Sequence, residues 1–299
     1  MAHFAGLLLL FNMPTLLVPV FATSSHNTIS KLFKRYLDTF IHVKSWYTSD
    51  PFDQKSDSCK SIKKVNCLHR VVYKNVNNNN RTDGKIFMTQ YDMVLTQWSI
   101  IGPIVLWPSK FGLYNITKEE LESLIHFWKV IGYTLGIEDR FNCCLDTYEE
   151  TAEFCNLMYD GDFFETTSRN VPVFPEFPLQ MALGLTHAMN CFAPMLSFPG
   201  LLRYTYKYVL ECPNVYVPVK NRKGYRNLVY MITVLMRYTW FHYVASYLLS
   251  FALFIINWRQ KKILAHFQNK YDKDVNYQRD YQEWVETCPM AHEFVEKYT

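Results

Sequence analysis

Four histidines in predicted helices are the side chains of this sequence best suited to chemistry. Each stands among apolar neighbours, and a neutral imidazole in such surroundings can ligate iron, including the iron of a haem. A histidine on an apolar helix face is also commonly a core residue held by a hydrogen bond, and spacing alone leaves both interpretations open. The four are His69, His126, His187 and His242.

Charged residues near predicted helix ends form a second group of candidates. Asp92 lies within a long apolar helix, where a buried carboxylate needs hydrogen-bond partners. Glu138 and Arg140 follow the glycine that ends another predicted helix, Gly136. They are candidates for polar groups of an active site, and a charge cluster of this kind can also simply neutralise itself when it is partly buried.

Familiar catalytic motifs are missing from the sequence, which narrows the classes of protein to consider. There is no G-x-G-x-x-G, no G-x-x-x-x-G-K-[ST], no G-x-S-x-G and no H-E-x-x-H. Glu122 and His126 are four residues apart, whereas carboxylate-bridged di-iron bundles use E-x-x-H units. Dinucleotide-binding folds, P-loop proteins, α/β-hydrolases, zinc proteases and di-iron oxidases are therefore not indicated.

The composition describes a chain that can bury a core and that does not resemble a nucleic-acid binder. Of 299 residues, 49% are hydrophobic, 17% are aromatic and 19% are charged. The 31 basic residues are interleaved with 27 acidic ones and leave a net charge of +4, so no nucleic-acid partner is expected. The eight cysteines include no C-x-x-C pair, and they indicate neither a zinc site nor a particular redox compartment.

Helical periodicity dominates the sequence and predicts an all-α fold of about nine helices. Ile62, Val65, His69 and Val72 recur at helical spacing, so His69 is expected to be buried on the apolar stripe of its helix. A single helical domain is expected over residues 1–258, followed by a polar tail over 259–299.

Local signals predict the bounds of several of these helices. A long apolar helix is expected over 86–106, where Pro103 should kink or end it. A capping box at Thr117 and Glu120 predicts a helix that runs to Gly136. Further helices are expected at about Tyr148–Met158, Leu179–Phe192 and Gly200–Leu210.

Two apolar segments raise the question of a membrane. The helix from Trp240 to Trp258 is long enough to cross a bilayer, with tryptophans at both ends and basic residues just outside, and it can equally be a buried core helix. Residues 1–22 resemble a signal peptide by their leucine-rich core and small-residue ending, or they form a helix of the domain. Membrane association is expected.

A family resemblance becomes visible over residues 88–144, MTQYDMVLTQWSIIGPIVLWPSKFGLYNITKEELESLIHFWKVIGYTLGIEDRFNCC. This stretch resembles the insect branch of the rubber oxygenase (latex-clearing protein) and ER-bound mycophenolate-pathway oxygenase family, and its HFWKVIGYTLGIEDRFN core is highly specific. The similarity continues in RYLDTFIHVKSWY (35–47), SIKKVNCLHRVV (61–72) and PEFPLQMALGLTHAMNCFAPMLSFPGLLRYTYKYV (175–209).

The resemblance implies an all-α oxygenase that holds a haem b and uses dioxygen to cleave carbon–carbon double bonds of isoprenoid chains. It implies a lipophilic substrate, an endoplasmic reticulum membrane and a domain shortened at its N-terminus. The implied iron ligand is His69 or His126. The implied cofactor contacts are Lys64 and Lys129, and the polar groups near oxygen or substrate are Asp92, Glu138 and Arg140.

Departures from the family pattern favour an alternative, a non-catalytic member that binds a lipid or a protein partner through the same apolar cavity. Relatives carry arginines immediately before the motif histidine, whereas Asn66, Cys67 and Leu68 precede His69 here. The MTQYDMVLTQW segment offers no histidine, and Lys129 stands where relatives have an arginine. Lysine keeps the charge and loses the two-pronged donor.

Overall fold

All the regular structure that the protein shows is helical, which confirms the predicted fold class. The structure, a computed structural model, describes residues 2–10, 13, 16, 19, 28–78, 86–164, 197–211, 219 and 222–269. These residues form ten α-helices and no strand. The helices are α1 Ala2–Leu10, α2 Ile29–Trp46, α3 Asp57–Asn77, α4 Gln90–Leu106, α5 Lys118–Leu135, α6 Tyr148–Met158, α7 Phe198–Tyr204, α8 Arg222–Thr233, α9 Thr239–Trp258 and α10 Gln260–Phe267.

Side-chain caps fix where most of these helices begin. Six of them start after a serine or threonine whose hydroxyl accepts a hydrogen bond from the backbone N–H three residues later, which satisfies one of the free donors of the first turn. The predicted capping box of Thr117 and Glu120 is confirmed, and α5 ends at Gly136, whose positive φ of 106° favours glycine. The caps are Thr28, Ser56, Thr89, Thr117, Thr147 and Ser197.

The apolar helix predicted from residue 86 starts later than expected. Thr89 and Asp92 form a second capping box, so α4 begins at Gln90. Pro103 lies inside α4, and the helix ends one turn later at Leu106, where the amide of Trp107 donates to the carbonyl of Pro103. The predicted helix Tyr148–Met158 is confirmed as α6.

The main core lies where α1 crosses α4 and where α5 and α6 pack on the other sides of α4. At the crossing, a Cβ built on Gly6 would lie 1.8 Å from the carbonyl oxygen of Ser99, so only a glycine permits this approach of the two helices. Trp98 and Trp128 are completely buried in this core. The segment whose sequence resembles a signal peptide thus contributes a packed helix.

A second, smaller cluster joins α2 to α9 and α10. It is built from Phe33 and Leu37 of α2, Leu253 and Ile256 of α9, and Phe267 of α10. The domain boundary expected at residue 258 therefore falls between two helices that both pack on α2.

Helix α9 is exposed along its length, which is unlike a buried core helix. Of its 20 residues, the two that are buried against the rest of the described chain are Leu253 and Ile256. Trp240 and Trp258 at its ends are 60% and 74% exposed. It is the one helix in the described part of the chain that is long and apolar enough to cross a membrane. Among the residues that the structure describes, the exposure of this segment favours a helix that faces lipid over a core helix.

Some expected elements differ from the observed ones or lie outside the described residues. The helix expected at Gly200–Leu210 is observed as α7, Phe198–Tyr204, followed by a π-helical turn at Thr205–Val209. The helix expected at Leu179–Phe192, with His187, lies outside the described residues.

Candidate functional site

The strongest candidate site is at the packed pair α2 and α3, around His69. The side chain of His69 is half-buried, and its Nδ1 atom is buried without a hydrogen-bond partner. Burial lowers the pKa of this imidazole, and the nearby positive charge of Arg35 on α2 lowers it further. His69 is therefore neutral at physiological pH, and its Nδ1 atom has no partner within the protein.

The same helix pair contains a second histidine whose side chain is engaged. His42 Nδ1 and the hydroxyl of Ser61 lie 2.7 Å apart, and Trp46 Nε1 donates to that hydroxyl at 2.9 Å. Asn66 Nδ2 donates to the carbonyl of Thr134 and ties α3 to α5. These bonds fix the helices on which Arg35 and His69 stand. Among the described side chains of this helix pair, His69 Nδ1 and Ser58 Oγ are the buried polar atoms that have no hydrogen-bond partner.

His126 has a different environment from the one its sequence neighbours suggested. Its side chain is exposed, because the buried stripe of α5 runs through Leu121, Ile125 and Trp128 and leaves His126 on another side of the helix. The expectation of apolar surroundings is wrong for this residue. The exposure of His126 could have been predicted from its position around the helix axis, because it lies about 100° from the buried residue Ile125.

The two lysines proposed near a cofactor do not meet at His69. Lys64 is exposed on α3. Lys129, on α5, forms an ion pair with Asp146 at 2.5 Å. Its charge is thus already used in a contact that is largely open to solvent, and such pairs contribute little to stability.

The three proposed catalytic polar residues lie at the surface near the start of α4 and the segment after α5. Asp92 Oδ2 accepts from the amide and the hydroxyl of Thr89, so its carboxylate caps α4. Gln90 bridges the carbonyl of Gly136 and the amide of Glu138. Glu138 and Arg140 then pair with each other at 2.8 Å while 53% and 72% exposed.

The interior between α4 and the 139–146 segment contains a buried polar network. Gln97 Nε2 donates to the carbonyl of Trp128 at 2.9 Å and to Asn142 Oδ1 at 3.0 Å. Gln97 Oε1 accepts from the backbone and the thiol of Cys143. Burial and the neighbouring Cys144 and Cys155 thiols raise the pKa of Cys143, so this thiol is protonated and unreactive.

One residue that the sequence did not single out is also a buried histidine. His3 Nδ1 donates to the carbonyl of Ile100 at 2.8 Å, and its ring packs edge-on against Trp128 at 6.2 Å. Burial lowers its pKa to about 4, with a further contribution from the N-terminal charge. Its hydrogen bond shows that it holds α1 on α4. The sequence also did not single out Arg35, because its effect on His69 depends on the packing of two different helices.

A separate cleft of about 280 Å³ opens near the start of α9. Its cations already have partners within the protein, since Lys110 pairs with Glu211 and Arg237 lies over the ring of Tyr114. None of the residues expected at a site lines it. The lining residues are Ser109, Lys110, Tyr114, Tyr204, Tyr208, Thr233 and Arg237.

The family resemblance implies a haem, and some of these residues have the chemistry that a haem site requires. His69 would be the residue to hold the iron, because its imidazole is neutral and its Nδ1 atom has no hydrogen-bond partner. Arg35 beside it supplies a positive charge suited to a propionate. Within the described ranges no group of three or more His, Cys, Asp or Glu side chains is placed to hold a metal ion directly. The described residues thus suit a haem through His69 and Arg35 alone.

Comparison of the chain with family models, curated proteins and solved structures gives no match.

Proposed function

We propose that this protein is a haem-dependent oxygenase-like oxidoreductase that acts on a lipophilic alkene or isoprenoid chain and works at a membrane, in the endoplasmic reticulum. The observation that carries the proposal is the buried Nδ1 atom of His69, which has no hydrogen-bond partner. A buried polar atom left unpaired costs about 1–3 kcal/mol, and a ligand bound to it would recover that free energy. The family resemblance over residues 88–144 names the ligand class.

In this proposal the chain provides binding and orientation. His69 would hold the iron as a neutral imidazole, because burial and the charge of Arg35 both oppose its protonation. The positive charge of Arg35, which acts on His69, would balance a propionate. When bound, the haem supplies an iron that activates dioxygen for attack on a carbon–carbon double bond. The hydrogen bonds of His42 and Trp46 to Ser61 hold α2 against α3, the helix that contains His69.

An absorption spectrum and an iron assay on the detergent-purified full chain, expressed with haem supply, test this proposal. A Soret band at about one iron per chain is expected, and His69→Ala should abolish it. His126→Ala is the matched control, because His126 is exposed on α5 and its removal should leave the spectrum unchanged. His69→Gly should regain the band when free imidazole is added.

Two outcomes would count against it. A folded helical chain without a Soret band would overturn the haem function. A band that survives in His69→Ala would keep the haem and remove His69 as its ligand.

A second candidate is a non-catalytic protein that binds a lipid, or a protein partner, through an apolar cavity. The observation that favours it is the surface of α3 beside His69, where Leu68 and Val71 are 51% and 49% exposed. Lipid extraction followed by mass spectrometry should then find a stoichiometric lipid in haem-free protein. Oxygen-dependent product formation would exclude this candidate.

A further inference from the structure

The exposed side of α9 is a continuous aromatic surface. Its six large aromatic side chains recur every three or four residues, and at 100° per residue they fall within an arc of about 80°. All six are between 54% and 75% exposed. We call these residues the aromatic stripe: Trp240, Tyr243, Tyr247, Phe251, Phe254 and Trp258.

The other sides of α9 are chemically different from the stripe. His242, Leu253 and Ile256 lie on the opposite side, where His242 donates to the carbonyl of Met236 and the two aliphatic residues pack on α2. Polar side chains form one edge between the two sides, at Thr239, Ser246, Ser250 and Asn257, whereas the other edge is apolar and exposes Val244 and Leu248. The helix therefore has one polar edge, although its composition is apolar enough for a membrane span.

The distribution of tyrosine and tryptophan along the stripe is unlike that of a spanning helix. In a span, these residues concentrate at the two ends, at the level of the headgroups. Here Tyr243 and Tyr247 lie well inside the helix and are 75% and 73% exposed. Their hydroxyls need water or headgroup partners, which are present along the whole length of a helix that lies in the interface.

Both ends of α9 are attached to the same body of the protein. Just before its first turn, the carbonyl of Arg237 accepts a hydrogen bond from Asn115. Near its last turn, Leu253 and Ile256 pack on α2. A helix of 20 residues is about 30 Å long, so a spanning orientation would separate these attachments by the thickness of the hydrocarbon core.

A spanning orientation would also place charges in the hydrocarbon. Leu253 is five residues from Trp258, which corresponds to about 7.5 Å along the axis. The α2 residues that contact it flank the ion pair of Lys34 with Asp38. An ion pair at that depth of a bilayer is costly, whereas at the level of the headgroups it remains hydrated.

The charge distribution around α9 is complementary to anionic lipid. Between Glu211 and Asp272 the sequence has no acidic residue and nine of the 31 basic ones. Three of these, Arg259, Lys261 and Lys262, are exposed immediately after the stripe. Basic residues close to an anionic membrane surface attract it strongly and are typical of helices that lie in the interface.

From these observations we infer that α9 lies flat in the headgroup region of a membrane that contains anionic lipids, with the aromatic stripe in the lipid and the body of the protein on one side. This mode of attachment is independent of the proposed haem function.

Flotation of the purified full chain with preformed vesicles tests the lipid contact. Binding is expected to vesicles of phosphatidylcholine with about 30% phosphatidylserine and to be weaker with phosphatidylcholine alone. Reversal of Arg259, Lys261 and Lys262 to glutamate should weaken partitioning by more than about 100-fold, since the loss of each cation removes about fivefold and the new carboxylates repel anionic lipid. The matched control reverses three exposed lysines elsewhere, Lys55, Lys60 and Lys63, and should bind like the parent.

A second pair of variants tests the stripe itself. Tyr247→Ser with Phe254→Ser should weaken partitioning about tenfold per side chain, because each loses a large apolar contact with the lipid. Phe52→Ser with Tyr133→Ser removes equally exposed aromatic residues from other surfaces and should leave binding unchanged. A folded parent that does not bind vesicles, because another segment or a second copy covers the stripe, would overturn the proposal.

Labelling in sealed microsomes distinguishes a flat helix from a spanning one. Thr239→Cys and Asn257→Cys are placed separately in a Cys67→Ser parent, which sets the background, and treated with a membrane-impermeant maleimide. A flat helix has both positions on one side of the membrane, so both react alike before detergent is added. A spanning helix would show one of the two reacting only after the membrane is opened, and that result would refute the proposal.

Discussion

The core between α4 and α5 differs from the exposed sides of two other helices, α3 and α9, in whether its polar and apolar groups have partners inside the protein. In the core, Gln97 and Trp98 both have hydrogen-bond partners inside the protein, and the apolar side chains are buried. In α3, by contrast, the Nδ1 atom of His69 has no hydrogen-bond partner, and α9 exposes its aromatic stripe. In the core, the polar and apolar groups named here are satisfied within the protein, so stabilisation of the fold accounts for these residues. Helices α3 and α9 retain unused binding capacity, which is where ligands and membrane are expected.

The largest effect is expected in the main core, at the crossing of α1 and α4. Gly6→Ala would place a Cβ 1.8 Å from the carbonyl oxygen of Ser99, so the two helices must move apart and lose packing. We expect a loss of more than about 3 kcal/mol in the free energy of unfolding, measured by chemical denaturation. Gly161→Ala is the control, because a Cβ there meets nothing within 4 Å. Equal stability of the two variants would show that α1 does not belong to the core.

The second prediction concerns pH and the same crossing. The pKa of His3 is lowered to about 4 in the folded protein, whereas an unfolded histidine titrates near 6.5. Between these two values the unfolded chain binds more protons, so acidification favours unfolding. His3 should therefore cost about 2.5 kcal/mol of stability between about pH 7.5 and pH 4.5.

Comparison with His3→Asn isolates this contribution from those of other groups. The asparagine amide can still donate to the carbonyl of Ile100 and does not titrate. Because the parent loses stability through His3 on acidification and the variant does not, the free energy of unfolding of the parent should fall by about 2.5 kcal/mol more than that of the variant across this window. A difference independent of pH would mean that His3 is accessible to protons in the folded state.

The sequence predicted well what is encoded locally. The box of Thr117 and Glu120 specified the start of α5, since a cap needs only residues three positions apart. The box at Thr89 has an aspartate where the familiar pattern has glutamate or glutamine, and the apolar residues before it concealed the true start of α4. The long, periodic helices were predicted most reliably because their patterns repeat over several turns.

The candidate site was harder to predict because its contacts join residues distant in sequence. The position of Arg35 beside His69 depends on how α2 packs on α3, and no pattern within either helix specifies that packing. The exposure of α9 has the same origin, since its composition suits a core as well as a lipid surface. The net charge of +4 also concealed the acid-free stretch around α9, because acidic residues elsewhere offset it.

A third prediction separates the two histidines of the α2–α3 pair. In haem-free protein, His69→Leu should raise stability by about 1 kcal/mol, because it removes a buried polar atom that has no partner. His42→Leu should lower stability by about 1 kcal/mol, because it deprives Ser61 of a contact. Denaturant midpoints of both variants provide the measurement. If His69→Leu were less stable than the parent, the imidazole of His69 would contribute to the stability of the fold, contrary to this prediction.

The smallest effect is expected at the exposed pair of Glu138 and Arg140. Glu138→Gln should change the free energy of unfolding by about 0.5 kcal/mol or less, since solvent screens a pair of side chains that are 53% and 72% exposed. The Soret band and lipid binding should also remain as in the parent, because neither residue lies with His69. A tenfold loss of oxygen-dependent product formation at unchanged stability would reverse this conclusion. It would show that Glu138 and Arg140 act on the reacting molecule. The binding site would then include the start of α4 as well as α3.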